Sequence, residues 1–308
     1  MAQPLISIIT VVYNGAATLE KTIQSVLAQT YNSFEYIIVD GGSTDGTLVI
    51  LDTYRPHIAK YVSEPDKGVY DAMNKGIGMA SGNWLFFLGA DDILYDNEVL
   101  ASVAGALGVA SPPDLLYGNV VSPSYKGVYD GEFTFEKLLN KNISHQAIFY
   151  KRQLFDRIGN YNLHYKAYAD WDFNIRCFAD KGIKTAYMDQ VVAEFGEGGI
   201  SSRHDVPFLR EVLIPEKLRL LTKTGPRHLR NLPAYDEWWR LVRNAGIRRV
   251  EELDELARLR HFSEAAPPCL KRMVRWQSRI SPQTLRIGIL SKCLMFASYL
   301  VNLLTGAI

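Results

Sequence analysis

The sequence predicts an α/β fold with a Rossmann-like, mostly parallel central sheet flanked by helices, followed by a helical C-terminal extension. Strand-like apolar runs alternate with helical segments through the first half of the chain. The strand-like runs are continuously apolar, which is typical of parallel strands covered on both faces by helices. From residue 206 onward the pattern becomes helical and basic. These observations predict two regions, 1–205 and 206–308.

Composition places the chain among ordinary globular proteins. Its 308 residues are 47% hydrophobic and 22% charged, enough to bury a full core. Cys177, Cys269 and Cys293 are far apart and form no CxxC pair, so we expect reduced thiols rather than metal or disulfide roles. The opening run "LISIITVVY" is short, contains polar residues and follows no basic segment, which favours a first strand over a signal peptide. We therefore expect a cytoplasmic protein.

The elements of the first 110 residues follow in a regular order. "LISIITVVY" reads as a strand, and "ATLEKTIQSVLAQT" has apolar residues at helical spacing. The alternation continues through "FEYIIVD", "TLVILDTY", "AKYVSE", "VYDAMNKGIGMA" and "WLFFLGADD". Such alternation predicts βαβ units.

The next ninety residues predict strands of a more mixed kind. Strand-like segments are "DLLYGNVV", "KGVYDGEF", "HQAIFYK" and "TAYMDQVVAEFG", with a short helix near "FEKLLN". "ADWDFNIRCFADKG" reads as a helix that opens with carboxylates and ends at Gly182. The glycine- and serine-rich "EGGISSRHD" is expected to be a mobile loop.

Three aspartates follow predicted strands. Asp40 ends "FEYIIVD", and Asp91 and Asp92 end "WLFFLGADD". Because ligands of open α/β sheets bind outside the carboxyl ends of the strands, these carboxylates are expected to converge on one crevice. For "VDGGSTDGT", residues 39–47, a strand-to-helix turn that uses Gly and Asp for conformation alone is the alternative.

Six segments, taken together and in order, resemble the family 2 glycosyltransferases with the GT-A fold. They span about the first 200 residues: "VVYN", "VDGGSTDGT", "EPDKGVYDAMNKGIGMASG", "FLGADD", "HQAIFYK" and "ADWDFNIRC". The third segment is similar to that of bacterial enzymes that build exopolysaccharide, capsule or O-antigen.

The resemblance implies transfer of a sugar, with inversion, from a nucleoside diphosphate sugar to a hydroxyl of a saccharide or polyprenyl-linked acceptor. It also implies roles for individual residues. Tyr13 lies along the nucleobase and Asp40 hydrogen-bonds it. Asp91 lies near the ribose and diphosphate, Asp92 binds Mg²⁺ or Mn²⁺, and Asp170 is the catalytic base.

Chemistry gives separate reasons for these residue types. A hard cation bound by one or two carboxylates neutralises charge that develops on a diphosphate leaving group. Inversion needs a further carboxylate to accept the proton of the acceptor hydroxyl. The N-terminal dipole of its helix favours the ionised form of Asp170, and nearby Asp172 is a rival base or a local helix residue. Two departures from the family pattern are Gly89 and Ala90 before Asp91, and Ala169 before Asp170.

Further candidate residues each carry an alternative. Asp66, Lys67 and Asn74 are expected to line the nucleotide side, although Lys67 fits a solvated turn equally well. His145, with Gln146, is expected to contact acceptor or diphosphate, or else to be a satisfied histidine at a strand end. Residues 197–204 form either a lid, in which Arg203 or His204 adds positive charge, or a surface linker.

Charge divides the chain into unlike halves. From Arg210 onward the chain has 18 Lys and Arg and 9 Asp and Glu, a net charge of +9. The residues before Arg210 have 16 Lys and Arg and 24 Asp and Glu, a net charge of −8. The apolar run from Cys293 to Leu304 is shorter than the ~20 residues needed to span a bilayer. With Trp238, Trp239 and Trp276 among arginines, it predicts peripheral contact with the inner face of the cytoplasmic membrane. The alternative is a helix that packs on the catalytic domain or a second subunit.

Two other functions compete with the transferase. One is a metal-dependent phosphotransferase or nuclease, which also uses clustered aspartates. The acidic first part shows no basic, aromatic-interleaved groove, so we expect no nucleic-acid partner. The other is a non-catalytic nucleotide-sugar-binding partner of another transferase.

Overall fold

A computed structural model describes residues 5–122, 125–129, 131–196, 205–224, 232–249, 251–252 and 255–256. The chain forms two compact units, Met1–Ser202 and Arg203–Ile308. The first unit is built on one large sheet, and the described residues of the second are mostly helical.

The sheet of the first unit contains nine strands. In chain order they are β1 (Ile6–Val12), β2 (Phe34–Asp40), β3 (Lys60–Ser63), β4 (Trp84–Phe87), β5 (Ile93–Leu94), β6 (Leu115–Ser122), β7 (Tyr125–Tyr129), β8 (Ile148–Lys151) and β9 (Thr185–Glu194). Their order across the sheet is β3-β2-β1-β4-β8-β6-β9-β5, and β7 pairs with β6.

Strand direction confirms the predicted mostly parallel sheet. β1 pairs in parallel with β2 and β4, and β2 with β3. β8 is antiparallel to both β4 and β6, whereas β6 and β9 are parallel. β5 and β7 are antiparallel to their partners, so six strands run one way and three run the other.

The described part of the first unit contains seven helices. They are α1 (Leu19–Leu27), α2 (Thr47–Tyr54), α3 (Val69–Met79), α4 (Val99–Leu107), α5 (Phe135–Leu138), α6 (Gln153–Ile158) and α7 (Ala169–Ala179). Short 3₁₀ turns lie at Arg55–His57 and His145–Ala147. α7 ends at Ala179, not at the expected Gly182, because Asp180 takes an extended conformation and its carboxylate accepts the Gly182 N–H at 2.8 Å.

Consecutive residues of β4 pack into the two layers of the core. Phe86 stacks on Phe149 of β8, with ring centroids 4.5 Å apart, in the layer beneath α1 and α4. Phe87 points to the opposite face, since side chains alternate along a strand, and meets Tyr150 and Tyr161 edge to face. On this second face the rings of Phe155 and Phe173 stack at 4.5 Å. Aromatic packing therefore fixes α7, which carries Phe173, against the sheet.

A buried carboxylate ties β2 to the turn before β4. Oε1 of Glu35 accepts hydrogen bonds from the Ser7 hydroxyl at 2.6 Å and the Ser81 hydroxyl at 2.8 Å, and Lys60 Nζ lies 3.1 Å from Oε2. Burial by itself raises the pKa of Glu35. The hydrogen bonds from Ser7 and Ser81 and the contact with Lys60 outweigh that effect and lower the pKa from 4.5 to about 2.

We expect the Glu35 carboxylate to stabilise the fold above its unfolded-state pKa and to lose this contribution as pH falls from about 4.5 towards 2. Glu35→Gln should lower the free energy of unfolding at pH 7 by about 1–3 kcal/mol, since it leaves buried donors poorly paired. Urea unfolding at several pH values measures this, and the difference from wild type should shrink at low pH. Exposed Glu98→Gln is the control, with an expected change within about 0.5 kcal/mol. An equal loss at low pH would contradict the assignment.

The described part of the second unit is helical, as expected. It contains α8 (Val206–Phe208), a π-helical turn at Leu209–Leu213, α9 (Ile214–Thr224) and α10 (Leu232–Asn244). Trp238 is only 5% exposed, so it is buried and does not lie on a membrane-facing surface. Among the helices that the structure describes, none is long and apolar enough to cross a bilayer. The apolar run 293–304 and Trp276 lie outside the described residues.

Candidate active site

An open cleft of about 1040 Å³ lies along one edge of the sheet in the first unit. The segments that follow β1, β4 and β9 line it, together with residues 140–146, which precede β8, and the first turn of α7. Polar lining side chains include Tyr13, Asn14, Asp91, Asp92, Asn142, His145, Gln146, Tyr168 and Asp170. The carboxyl ends of the parallel strands and the amino end of reversed β8 therefore meet at one site.

Asp40 lies buried at the end of β2, beside the cleft. Its Oδ2 accepts hydrogen bonds from the N–H groups of Gly42 and Ser43, both at 3.0 Å, and from the Ser63 hydroxyl at 2.6 Å. Its Oδ1 is buried and has no hydrogen-bond partner among the residues that the structure describes. An unpaired buried carboxylate oxygen is costly, which is the expected mark of a group that pairs with a ligand.

Gly41 lies between two of the predicted residues, Tyr13 and Asp66. A Cβ at Gly41 would meet Asp66 Oδ2 at 2.5 Å and the Tyr13 ring at 3.3 Å. Tyr13 is 67% exposed and lines the cleft, although it is a large aromatic residue. The absent side chain of Gly41 therefore allows Tyr13 and Asp66 to approach the end of β2.

The turn after β2 is cross-linked to the turn after β1. The Asn14 N–H donates to Ser43 Oγ at 2.7 Å, and Asn14 Oδ1 accepts from the Thr44 N–H at 2.9 Å. Asp45 Oδ1 accepts from the Thr47 N–H at 3.1 Å at the start of α2. "VDGGSTDGT" thus builds the local turn, as the conformational alternative requires, and also places the Asp40 carboxylate.

Asp92 is held by the protein on both carboxylate oxygens and is 4% exposed. Oδ2 accepts from the Gly89 N–H at 3.0 Å, whereas Oδ1 accepts from the Gly196 N–H at 2.9 Å and from Gln146 Nε2 at 3.3 Å. Burial raises the pKa of Asp92, and the charge of His145 and the Gly196 N–H oppose that rise in part.

Asp91 is exposed and lies between two glycines. A Cβ at Gly89 would come within 3.1 Å of Asp91 Oδ1, and a Cβ at Gly196 within 2.8 Å of Asp91 Oδ2. A Cβ at Gly89 would also lie only 2.5 Å from Asp92 Oδ2. The two glycines therefore provide the space in which the adjacent carboxylates lie.

The donor set at this edge fits Mg²⁺ or Mn²⁺. Among the described residues no group of three or more His, Cys, Asp and Glu side chains is placed to hold a metal. Mg²⁺ needs no such group, because it is usually bound by one or two carboxylates while keeping waters and substrate phosphates. Asp91 and Asp92 supply hard oxygen atoms of that kind.

Asp170 lies in the first turn of α7 and is 7% exposed. Its Oδ1 accepts from the Tyr70 hydroxyl at 2.6 Å, and its Oδ2 accepts from Asn142 Nδ2 at 2.7 Å. It lines the cleft. Asp172 is not among the cleft-lining residues, and its Oδ2 pairs with Arg176 Nε at 2.9 Å. The geometry favours Asp170 over Asp172 as a group that meets substrate.

The other predicted residues differ in position. His145 lines the cleft, on the 3₁₀ turn before β8. Lys67 is exposed in the turn before α3. The structure does not bring Asn74 to the cleft, because its amide donates to the Tyr161 carbonyl and accepts the Tyr161 N–H. Arg203 and His204 lie outside the described residues.

The two residues that donate to the Asp170 carboxylate, Tyr70 and Asn142, were not predicted. Tyr70 lies within the "EPDKGVYDAMNKG" segment, but its spacing from Asp170 along the chain gives no sign of the contact. Burial and the Asp170 charge raise the pKa of Tyr70 well above its usual value, so it remains a hydrogen-bond donor. Asn142 lies in the polar run "NKNIS", which reads as an ordinary loop.

Comparison with solved structures identifies the fold. A crystal structure of Staphylococcus aureus TarS, residues 1–349, matches with a TM-score of 0.62 at 18% identity, over 89% of this chain and 88% of the other. A mannosyltransferase from Pyrobaculum calidifontis, solved with GDP-Man and Mn²⁺, matches with a TM-score of 0.53 at 17% identity, over 98% of this chain and 88% of the other. The fold is the expected GT-A fold.

Sequence comparison gives the family. The model of glycosyl transferase family 2 matches residues 7–168, more than half of the chain. The chain therefore belongs to glycosyl transferase family 2, and it is a glycosyltransferase, as its motifs predicted. A PGL/p-HBAD biosynthesis glycosyltransferase of Mycobacterium tuberculosis is 47% identical over 224 residues, 71% of this chain and 88% of the relative. An uncharacterized glycosyltransferase of the same species is 34% identical over 210 residues, 66% of this chain and 79% of the relative.

Proposed function

We propose that the enzyme transfers a sugar, with inversion, from a nucleoside diphosphate sugar to a hydroxyl of a saccharide or lipid-linked saccharide during synthesis of bacterial surface glycans. One observation carries the proposal: the Asp92 and Asp170 carboxylates, from distant parts of the chain, line the same cleft. One carboxylate suits the leaving-group side of a displacement and the other suits the nucleophile side.

The donor occupies the part of the cleft next to β1 and β2. Exposed Tyr13 stacks along the nucleobase, and the unpaired Oδ1 of Asp40 accepts a hydrogen bond from it. Asp66 and Lys67 flank this region and Asp91 contacts the ribose and diphosphate. A TarS structure was solved with UDP-GlcNAc and the Pyrobaculum enzyme with GDP-Man, so related folds bind both uridine and guanosine donors.

Asp92, with Asp91 beside it, holds Mg²⁺ or Mn²⁺ in this proposal. When bound, the cation neutralises negative charge on the diphosphate as it leaves. The N–H groups of Gly89 and Gly196 fix the Asp92 carboxylate. His145, which lines the cleft, contacts the diphosphate in this proposal. Arg203 and His204, which the sequence assigns to a lid, lie outside the described residues.

Asp170 takes the proton of the acceptor hydroxyl as the new glycosidic bond forms. The hydroxyl oxygen attacks the anomeric carbon, and the bond to the diphosphate breaks with its electron pair on the leaving group. Attack from the face opposite the leaving group inverts the anomeric configuration. Tyr70 and Asn142 hold the ionised base by donating to its two oxygens.

The remaining proposals concern the acceptor and location. Residues 1–205 form the donor-binding and catalytic region. Residues 206–308 form a basic helical region that contacts anionic lipid at the inner face of the cytoplasmic membrane, where a polyprenyl-linked acceptor lies. A homologue in mycobacterial glycolipid biosynthesis supports a lipid-linked acceptor. A non-catalytic nucleotide-sugar-binding partner and a phosphotransferase remain the alternatives to test.

A thermal-shift panel tests donor binding. The full chain is titrated with UDP-, GDP- and dTDP-sugars in Mn²⁺, Mg²⁺ or EDTA. One nucleotide class should raise the melting temperature with concentration, more strongly with metal, since ligand at 100 times Kd stabilises by about 2.7 kcal/mol.

Two exposed tyrosines make matched variants for this panel. Tyr13→Ala should raise the donor concentration needed for a given shift in melting temperature by about tenfold, because base–aromatic stacking contributes about 1–3 kcal/mol. Tyr95→Ala removes an exposed ring outside the cleft lining and should bind as wild type does. A folded sample that responds to no donor would count against the proposal.

A further inference from the structure

A line of hydrogen bonds leads from the core to the Asp170 carboxylate. The Tyr150 hydroxyl donates to Asn174 Oδ1 at 2.8 Å, Asn174 Nδ2 donates to Asn142 Oδ1 at 2.9 Å, and Asn142 Nδ2 donates to Asp170 Oδ2 at 2.7 Å. Tyr150 and Asn174 are completely buried. Asn174 lies one turn beyond Asp170 on α7, so the line joins β8, α7 and the loop 140–146.

Chemistry sets the direction of every bond in this line. An ionised carboxylate only accepts hydrogen bonds, so Asn142 must turn its NH₂ group towards Asp170. Asn142 Oδ1 then faces Asn174, which must present its own NH₂ group. The Oδ1 that remains on Asn174 accepts from Tyr150, whose hydroxyl stays protonated because burial raises its pKa well above the usual value. Both amide orientations are thus fixed from the carboxylate end, and the Tyr150 hydroxyl, which can donate or accept, donates to the amide oxygen that remains.

The Asp170 carboxylate keeps capacity for substrate. Each of its oxygens has about two acceptor positions, and within the described structure Tyr70 uses one on Oδ1 and Asn142 one on Oδ2. Rotation of the carboxylate would break both bonds together. The two donors therefore hold the carboxylate in one orientation while leaving room for a third hydrogen bond.

The loop that carries Asn142 also contacts the second carboxylate of the cleft. Gln146 Nε2, four residues after Asn142, lies 3.3 Å from Asp92 Oδ1. Residues 140–146 thus touch Asp170 and Asp92 by two side-chain amides. One loop therefore contacts both carboxylates of the cleft.

We infer that Asn142 and Asn174 are positioning residues of the transfer reaction, which hold the Asp170 carboxylate in the orientation that accepts the acceptor hydroxyl's proton. The inference rests on the proposed function, in which Asp170 is the base. The proton passes from the hydroxyl to Asp170, and neither amide gains or loses one. A base held in place reaches the reactive geometry without first being ordered.

Asn174→Leu gives the sharpest test, because Asn174 is not among the cleft-lining residues. Turnover is measured as nucleoside diphosphate release, with the donor found by the binding panel and octyl glycosides as acceptors. We expect kcat to fall by about 10–100-fold, within the range of positioning effects. KM for donor and acceptor should stay within about threefold. Asn142→Ala, at a half-buried loop position, should show the same fall in kcat if Asn174→Leu does not fold.

Phe173→Leu is the matched control. Phe173 is the neighbouring residue on α7, is completely buried and stacks on Phe155, but it contributes no hydrogen bond to the line. It should lower the melting temperature while kcat remains within about threefold of wild type. If Phe173→Leu and Asn174→Leu lose the same stability and the same kcat, the amides have only a structural role.

The outcomes separate this inference from the proposed function. Suppose that wild type transfers sugar, that Asp170→Asn does not, and that Asn142→Ala and Asn174→Leu both keep a normal kcat. That result would overturn only the positioning role. If wild type binds the donor but neither transfers its sugar nor hydrolyses it, both the positioning role and the proposed function are overturned.

Discussion

Asp170→Asn is expected to lower transfer by roughly 10²–10⁴-fold, the usual contribution of a general base. Asparagine has nearly the same shape and can keep the hydrogen bond from either Tyr70 or Asn142, but it cannot accept the hydroxyl proton. Donor affinity should therefore remain close to wild type. Initial rates of nucleoside diphosphate release and the donor-induced thermal shift, measured on the same preparation, test both parts.

Asp172→Asn is the control for this substitution. Asp172 is also a buried aspartate in the first turn of α7, but it pairs with Arg176 and does not line the cleft. Its loss should lower the free energy of unfolding by about 1–3 kcal/mol and leave kcat nearly unchanged. If Asp170→Asn keeps near-wild-type turnover and Asp172→Asn loses it, the base is Asp172.

Asp92→Ala is expected to remove the metal dependence of donor binding. With Mn²⁺ present, donor Kd should rise by roughly 100-fold, since a bound cation contributes several kcal/mol of charge stabilisation. In EDTA the variant and wild type should bind the donor alike. Calorimetric titration of donor into protein, with and without Mn²⁺, measures the difference.

Asp45→Ala is the control for Asp92→Ala, and Asp91→Ala tests the neighbouring carboxylate. Asp45 is an exposed aspartate at the same edge whose carboxylate accepts from Thr47 and Ala16, so its loss should leave the Mn²⁺ effect intact. Asp91→Ala should weaken donor binding to a smaller extent than Asp92→Ala. If Asp92→Ala still responds to Mn²⁺ and Asp91→Ala does not, Asp91 is the principal ligand.

The sequence predicted the sheet well because its strands are continuously apolar and alternate with helices. Asp40, Asp91 and Asp92 could be placed at one edge because the direction of parallel strands follows from βαβ connections. The reversed direction of β8 could not be predicted, since "IFYK" contains nothing that records the direction in which it pairs. Side-chain partners such as Asn142 were missed for a related reason: an asparagine in a polar loop looks the same whether it holds a carboxylate or contacts water.

The reversed strand β8 has a consequence for how family members diverge. β1 and β4 leave the sheet at the cleft, whereas β8, which is antiparallel to its neighbour β4, enters the sheet there. The chain between β7 and β8 therefore contributes a wall of the cleft. Insertions or exchanges in residues 131–146 can reshape that wall without changing the order or register of the strands that carry Asp40 and Asp92. On the proposed function, we expect changes in this one connection to alter the acceptor while the donor stays the same.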